Sequence, residues 1–117
     1  MNLMTQRRKL IAGNWKMNGG LAANDALVKA IVAGLPEQGV DAAVCVPSVY
    51  LSQVQALVTD TRLSLGSQDV SQHEQGAYTG EISAGMLRDF AVRYAIVGHS
   101  ERRQYHGETD EQVAVKA

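Results

Sequence analysis

Five side chains of this sequence have types suited to chemistry on a small anion: Asn14, Lys16, Gln68, His99 and Glu101. An ammonium attracts negative charge. An imidazole and a carboxylate can carry protons, and two amides can orient a polar substrate. Taken singly, each has a plainer role. Lys16 would be a solvated surface lysine and Asn14 a turn residue. His99 would be a hydrogen-bonded structural histidine. Glu101, Arg102 and Arg103 would form the exposed first turn of a helix. What sets the five apart is where the pattern of the chain puts them.

That pattern alternates short apolar runs with helical periodicity. Leu10 to Ala12 is an apolar run that ends at the glycine-flanked stretch Gly13 to Gly20. Leu21 to Leu35 predicts a helix with Leu27, Ile31 and Leu35 on one face, closed by Gly34, Pro36 and Gly39. Ala42 to Val46 is continuously apolar, as a strand buried on both faces is. Pro47 stops it, and Ser48 is placed to cap a helix through Val58 with Leu51, Val54 and Val58 inward. Leu63 to Gly66 reads as a third strand, Ser83 to Phe90 as a short helix and Tyr94 to Val97 as a fourth strand. Ser67 to Gly80 is too long and polar for an ordinary connection. Thr109 and Gln112 have the spacing of a capping box, with Asp110 and Glu111 in the first turn.

The result is βαβαβαβ followed by a helix that has just begun. It predicts an α/β fold with parallel strands. The last helix breaks off at Ala117 with no closing signal, so the expectation is a truncated chain. A short terminal helix on a small open sheet is the plainer alternative. Ligands of such sheets bind beyond the carboxyl ends of the strands. The stretches just after the four strands are Gly13 to Gly19, Pro47-Ser48, Ser67 to Asp69 and Gly98 to Arg103. All five side chains therefore fall at one end of the sheet.

Other chemistries are excluded at named positions. Gly98-His99-Ser100-Glu101-Arg102 imitates a nucleophile elbow, but Arg102 stands where the second glycine must be. His73-Glu74 opens like a zinc motif, but Ala77 replaces the second histidine. Cys45, His73, His99 and His106 have no metal spacing, and no glycine-rich nucleotide loop occurs. Twelve acidic against eleven basic residues give a net charge of -1. That argues against a nucleic-acid partner, which needs clustered cations. No apolar run nears the roughly 20 residues of a membrane helix. Met1 to Leu10 carries Arg7, Arg8 and Lys9 but no apolar stretch of signal-peptide length. The lone Cys45 sits in an apolar run, as a buried and inert thiol does. The expectation is a soluble cytoplasmic domain with no membrane partner.

Three stretches are distinctive. Ala12-Gly13-Asn14-Trp15-Lys16-Met17-Asn18-Gly19 resembles the first-strand motif of the triosephosphate isomerase family. Gly76-Ala77-Tyr78-Thr79-Gly80-Glu81-Ile82-Ser83 resembles its third loop. Tyr94 to Arg103 resembles its fourth-strand motif, which Gly107-Glu108-Thr109-Asp110-Glu111 continues. The resemblance runs from about Lys9 to Ala117. It implies the first four βα units of a (β/α)₈ barrel, broken within the fourth helix, so that residues 1–117 are the N-terminal half of one barrel domain. A complete barrel takes about 250 residues.

The resemblance also implies an activity, the interconversion of dihydroxyacetone phosphate and glyceraldehyde 3-phosphate through an enediolate, with no cofactor and no metal. Asn14 and Lys16 would bind the substrate, and Lys16 would also stabilise the developing oxyanion. His99 would be the electrophile. This family is itself the standard case of a histidine held neutral by a helix N-terminus. Glu101 would position Lys16 and is a further candidate for proton transfer. Gln68, Tyr78, Thr79 and Glu81 would form a homodimer interface, with Thr79 reaching the neighbour's first-strand motif and Glu81 pairing with Arg102 across it. The family's glutamate base, its lid and its phosphate-gripping amides belong to later motifs. They would come from a C-terminal half on a missing or separate segment, and the 117 residues alone would be inactive. The alternative is a non-catalytic half-barrel scaffold or phosphate-binding fragment.

Overall fold

The computed structural model describes residues 8–117, so the stretch Met1 to Arg7 lies outside the described residues. Four strands, β1 (Lys9–Asn14), β2 (Val40–Val46), β3 (Leu63–Ser67) and β4 (Tyr94–Ala95), pair in sequence order. Every pairing is parallel. Helices α1 (Leu21–Gly34), α2 (Leu51–Val58) and α3 (Ala84–Asp89) connect them. Two short helices, α4 (Ser100–His106) and α5 (Asp110–Lys116), follow β4. The strands curl as half of a barrel does, with the helices between them.

The core lies between β2, β3 and the helices. Ala42 to Val46 are all buried, as their unbroken apolar run predicts, and Leu63, Leu65, Val28, Val54 and Leu87 pack with them. A buried aliphatic side chain of this kind contributes about 1.5–3 kcal/mol by leaving water. On α2, Leu51, Val54 and Val58 face inward as expected.

Several local expectations need correction. The inward residues of α1 are Asn24 and Val28, with Ile31, Val32 and Leu35 partly covered, whereas Leu27 is exposed. The cause is polar. Asn24 Oδ1 accepts the Gly20 N–H at 3.1 Å, and its amide donates to Gln53 Oε1 at 3.0 Å. Gln53 in turn donates to the Leu21 carbonyl at 2.6 Å. An asparagine thus holds the seam between α1 and α2 that apolar spacing assigned to a leucine. Ser48 does not cap α2; it opens a single 3₁₀ turn, Ser48–Tyr50, with no side-chain cap bond. Ser83 does cap α3, accepting the Met86 N–H. The capping box of Thr109 and Gln112 forms in both directions. Strand β4 pairs over two residues rather than four, and the chain beyond it turns at Gly98 and folds into α4.

Tight packing at the sheet centre makes one position sharply sensitive. A Cβ added at Gly66 would lie 2.5 Å from Cys45 Sγ and 3.3 Å from the Tyr94 carbonyl oxygen. Gly66→Ala is expected to lower stability by about 1–3 kcal/mol, as overpacking of a well-packed core does. Adding Cys45→Ala should restore part of that loss, because the sulfur is the nearer obstacle. Urea unfolding of the single and double variants tests this. Strictly additive effects would show that the two residues do not press on each other.

Candidate active site

The site is built where the strands end. Asn14 closes β1, and its Oδ1 accepts the Lys16 N–H at 2.8 Å. This local bond turns the chain and puts Lys16 at φ 54°, in the left-handed region. A non-glycine residue there carries strain of about 1–3 kcal/mol and persists only when its surroundings hold it. The hold is visible on both sides. Gln68, just past β3, donates to the Lys16 carbonyl at 2.7 Å and to the Cys45 carbonyl at 3.1 Å. The Trp15 N–H also donates to the Cys45 carbonyl, at 3.0 Å. The loop after β1 is thereby fastened to the ends of β2 and β3, and the Lys16 side chain leaves it in a fixed direction.

That side chain meets Glu101. Lys16 Nζ lies 2.8 Å from Glu101 Oε1, with both side chains about half exposed. The hydrogen bond and charge of Glu101 raise the Lys16 pKa above its ordinary value, against slight desolvation. In return the Lys16 hydrogen bond lowers the Glu101 carboxyl against desolvation, helped by the Lys16 charge. Both groups are held in their charged forms.

His99 is the N-cap of α4, and its Nδ1 accepts the Glu101 backbone N–H at 3.2 Å. A backbone N–H can only donate, so Nδ1 must be unprotonated. The ring is then the neutral tautomer with its proton on Nε2. Glu101 Oε2 also lies 3.4 Å from Nδ1, and would attract a proton to it. The Glu101 N–H donates to Nδ1 all the same, which makes Nδ1 the acceptor. Nε2–H is left as a hydrogen-bond donor. Asn14, Lys16, Gln68, His99, Glu101 and Arg102 line one open cleft of about 180 Å³, whose rim adds Met17, Tyr105 and His106. The structure therefore brings all five sequence-derived site residues together. The cleft holds two amides, an ammonium paired with a carboxylate, and an imidazole, a set fitted to an anionic substrate whose carbonyl needs polarising. Among the described residues, no cluster of three or more His, Cys, Asp or Glu is arranged to hold a metal. Burial raises the Cys45 thiol pKa, in keeping with an inert core residue.

Tyr78, Thr79 and Glu81 lie away from the cleft. Tyr78 is 45% exposed and stacks on His73 within its own loop, with ring centroids 3.7 Å apart. Ile82, at the far end of that loop, packs on the core. Thr79 and Glu81 are exposed. Arg102 is engaged within its own chain, 3.3 Å from Asp69 Oδ2 and 3.5 Å from Glu108 Oε2.

The sequence reading missed Glu108 and Lys116. Their side chains are only 3% and 6% exposed and meet at 2.6 Å, and Lys116 also reaches Asp69 Oδ1 at 2.8 Å. Burial pushes the Glu108 carboxyl up, but the hydrogen bonds from Lys116 and the Gly98 N–H, with the nearby positive charges, outweigh it and hold the pKa below the ordinary value. Burial likewise pulls Lys116 down, and its bonds to Asp69 and Glu108 outweigh that and raise it. Nothing in a Glu that precedes a capping box announces that it is buried.

Parallel strands joined by helices, with a charged cleft at their carboxyl ends, have the architecture of a βα-barrel half. The comparisons narrow this. The family model for triosephosphate isomerase matches residues 9–117. The chain is 66% identical over 112 residues to triosephosphate isomerase of Delftia acidovorans, covering 95% of this chain and 45% of that protein. It is 66% identical over 111 residues to that of Albidiferax ferrireducens, with the same coverage. The crystal structure of triosephosphate isomerase from Bartonella henselae superposes with a TM-score of 0.88 at 39% identity, covering 94% of this chain and 46% of that one. The chain belongs to the triosephosphate isomerase family, and it spans about 45% of the length of the curated relatives it matches.

The buried pair sets a pH dependence. Glu108 has a folded-state pKa below its usual 4.5, so its stabilising share is full above about pH 4.5 and is lost as pH falls through the lower folded value. Lys116 has a folded-state pKa above 10.5, so its share is full below that pH and is lost as pH rises through the higher folded value. Glu108→Gln is expected to flatten the acid limb of the Tm profile between about pH 5 and pH 2. An acid limb unchanged by this substitution would assign the loss to other carboxylates.

Proposed function

We propose that this chain supplies the substrate-binding and electrophilic half of a triosephosphate isomerase site. The reaction interconverts dihydroxyacetone phosphate and glyceraldehyde 3-phosphate. The observation that carries the reading is His99 Nδ1 accepting the Glu101 N–H at 3.2 Å beside the Lys16–Glu101 ion pair at 2.8 Å. Lys16, with Asn14 next to it, binds the phosphorylated substrate and steadies negative charge on the enediolate. His99 Nε2–H donates to the substrate carbonyl and moves protons between the two oxygens. A neutral imidazole is the better match for an enediolate, because its N–H acidity is closer to that of the enediol than an imidazolium's is. Glu101 holds the Lys16 ammonium in place. The glutamate base belongs to the part of the family's length that this chain does not span, and Glu101 does not replace it.

The proposal extends to a cytoplasmic homodimer. Its interface is the loop from Gln68 to Glu81, with Thr79 approaching the neighbour's first-strand loop and Glu81 of the partner subunit meeting Arg102. The exposure of Tyr78, Thr79 and Glu81 supports that reading.

Isomerase assays test it. In the complete enzyme carrying this segment, Lys16→Ala is expected to cut kcat/KM by about 100-fold or more, as loss of a preorganised charge does. Wild-type kcat/KM in that variant would remove the assignment. The isolated 117-residue chain is expected to show no turnover, since a general base alone is worth about 100- to 10,000-fold. Measurable turnover would mean that a carboxylate within this chain acts as base. Thr79→Arg should shift the sedimenting species towards monomer, and an unchanged dimer would place the interface elsewhere.

A further inference from the structure

We infer that Glu108 is a positioning residue for the His99 electrophile, acting through Gly98 and held by Lys116. The inference rests on the isomerase reading above. Gly98 immediately precedes His99 and has φ 65°. Its N–H donates to Glu108 Oε1 at 2.9 Å, and its carbonyl accepts Arg103 Nε at 2.9 Å. A Cβ at Gly98 would stand 2.9 Å from Val113 and 3.0 Å from the Arg103 guanidinium. The turn that presents the imidazole is thus fixed on three sides by α4 and α5 and by the residue between them. None of Glu108, Lys116 or Val113 lines the cleft.

The carboxylate divides its work. Oε1 takes the Gly98 N–H, and Oε2 takes Lys116 Nζ at 2.6 Å. Lys116 also binds Asp69 Oδ1 at 2.8 Å. Asp69 follows Gln68, the residue that grips the Lys16 carbonyl at 2.7 Å. One chain of contacts, buried at Glu108 and Lys116, therefore runs from His99 to Lys16 through Gly98, Glu108, Lys116, Asp69 and Gln68. It fixes the electrophile and the cation relative to each other, and its Glu108 and Lys116 links lie outside the cleft. An amide in place of Glu108 has one acceptor oxygen and an NH₂ that cannot face Lys116. It can serve Gly98 or Lys116, and not both as the carboxylate does.

The test uses the complete enzyme carrying this segment. Glu108→Gln is expected to lower kcat about tenfold or more with KM within about twofold, because the loss falls on a group that acts in the transition state. Imidazole ¹⁵N spectra should show His99 losing its single Nε2–H tautomer, a change that a purely structural role for Glu108 would not produce. A folded Glu108→Gln enzyme with wild-type kcat and an unchanged His99 spectrum overturns the inference. Where Glu108→Gln does not fold, Asp69→Asn breaks the same chain one link further on. It should lower kcat severalfold at unchanged KM, and wild-type kcat there also overturns the inference. His99→Gln in the same assay separates the two claims. If it keeps full activity, the isomerase reading fails; if it loses activity while Glu108→Gln does not, only the positioning role fails.

Discussion

Parallel pairing in one register is the constraint on which this site depends. Asn14 pairs with Cys45, Cys45 with Gly66, and Gly66 with Tyr94, so a single rung crosses all four strands. Lys16 and Gln68 each stand two residues beyond that rung, and His99 stands five beyond it. A slip of one residue in any strand would send its side chains to the opposite face and separate these groups. The rung closes because Gly66 has no side chain to collide with Cys45. Close packing in the middle of the sheet and the assembly of charges at its edge therefore have one cause.

On that frame, polar side chains do what apolar packing cannot. The loop carrying Lys16 is held in a strained conformation by Asn14 on one side and Gln68 on the other. The imidazole is held by a backbone N–H whose direction fixes the tautomer. The two ion pairs differ in kind. Lys16 and Glu101 are half exposed and accessible to solvent. Exposed pairs of this sort add little to stability. Glu108 and Lys116 are buried behind the cleft, where a charge without its partner is costly. The first pair suits binding, and the second suits rigidity.

Much of this was legible in the sequence, for physical reasons. The run Ala42 to Val46 identifies a strand covered on both faces, and the Thr109–Gln112 spacing marks a helix start that forms as a capping box. The stretches after the strands locate the site, because parallel topology sends all strand ends to one edge. Where the reading failed, a polar group had taken an apolar role. Asn24 sits in the seam between α1 and α2, and Leu27 of the predicted apolar face is exposed while Ile31 and Leu35 pack on the core. Glu108 and Lys116 look like solvated helix-end charges, and only the tertiary fold puts them against each other and under cover. Burial of a paired charge leaves no periodic trace in a sequence.

The central claim is that the strand ends form the electrophilic half of an isomerase site, with Lys16 and neutral His99 facing one substrate. The most direct measurement is a crystal structure of the complete enzyme carrying this segment, bound to a phosphorylated hydroxamate that mimics the enediolate. The account predicts the hydroxamate oxygens within hydrogen-bond distance of both His99 Nε2 and Lys16 Nζ, with His99 Nδ1 still accepting the Glu101 N–H. A ligand seated away from these atoms, or a His99 ring turned so that Nδ1 faces the ligand, would contradict it.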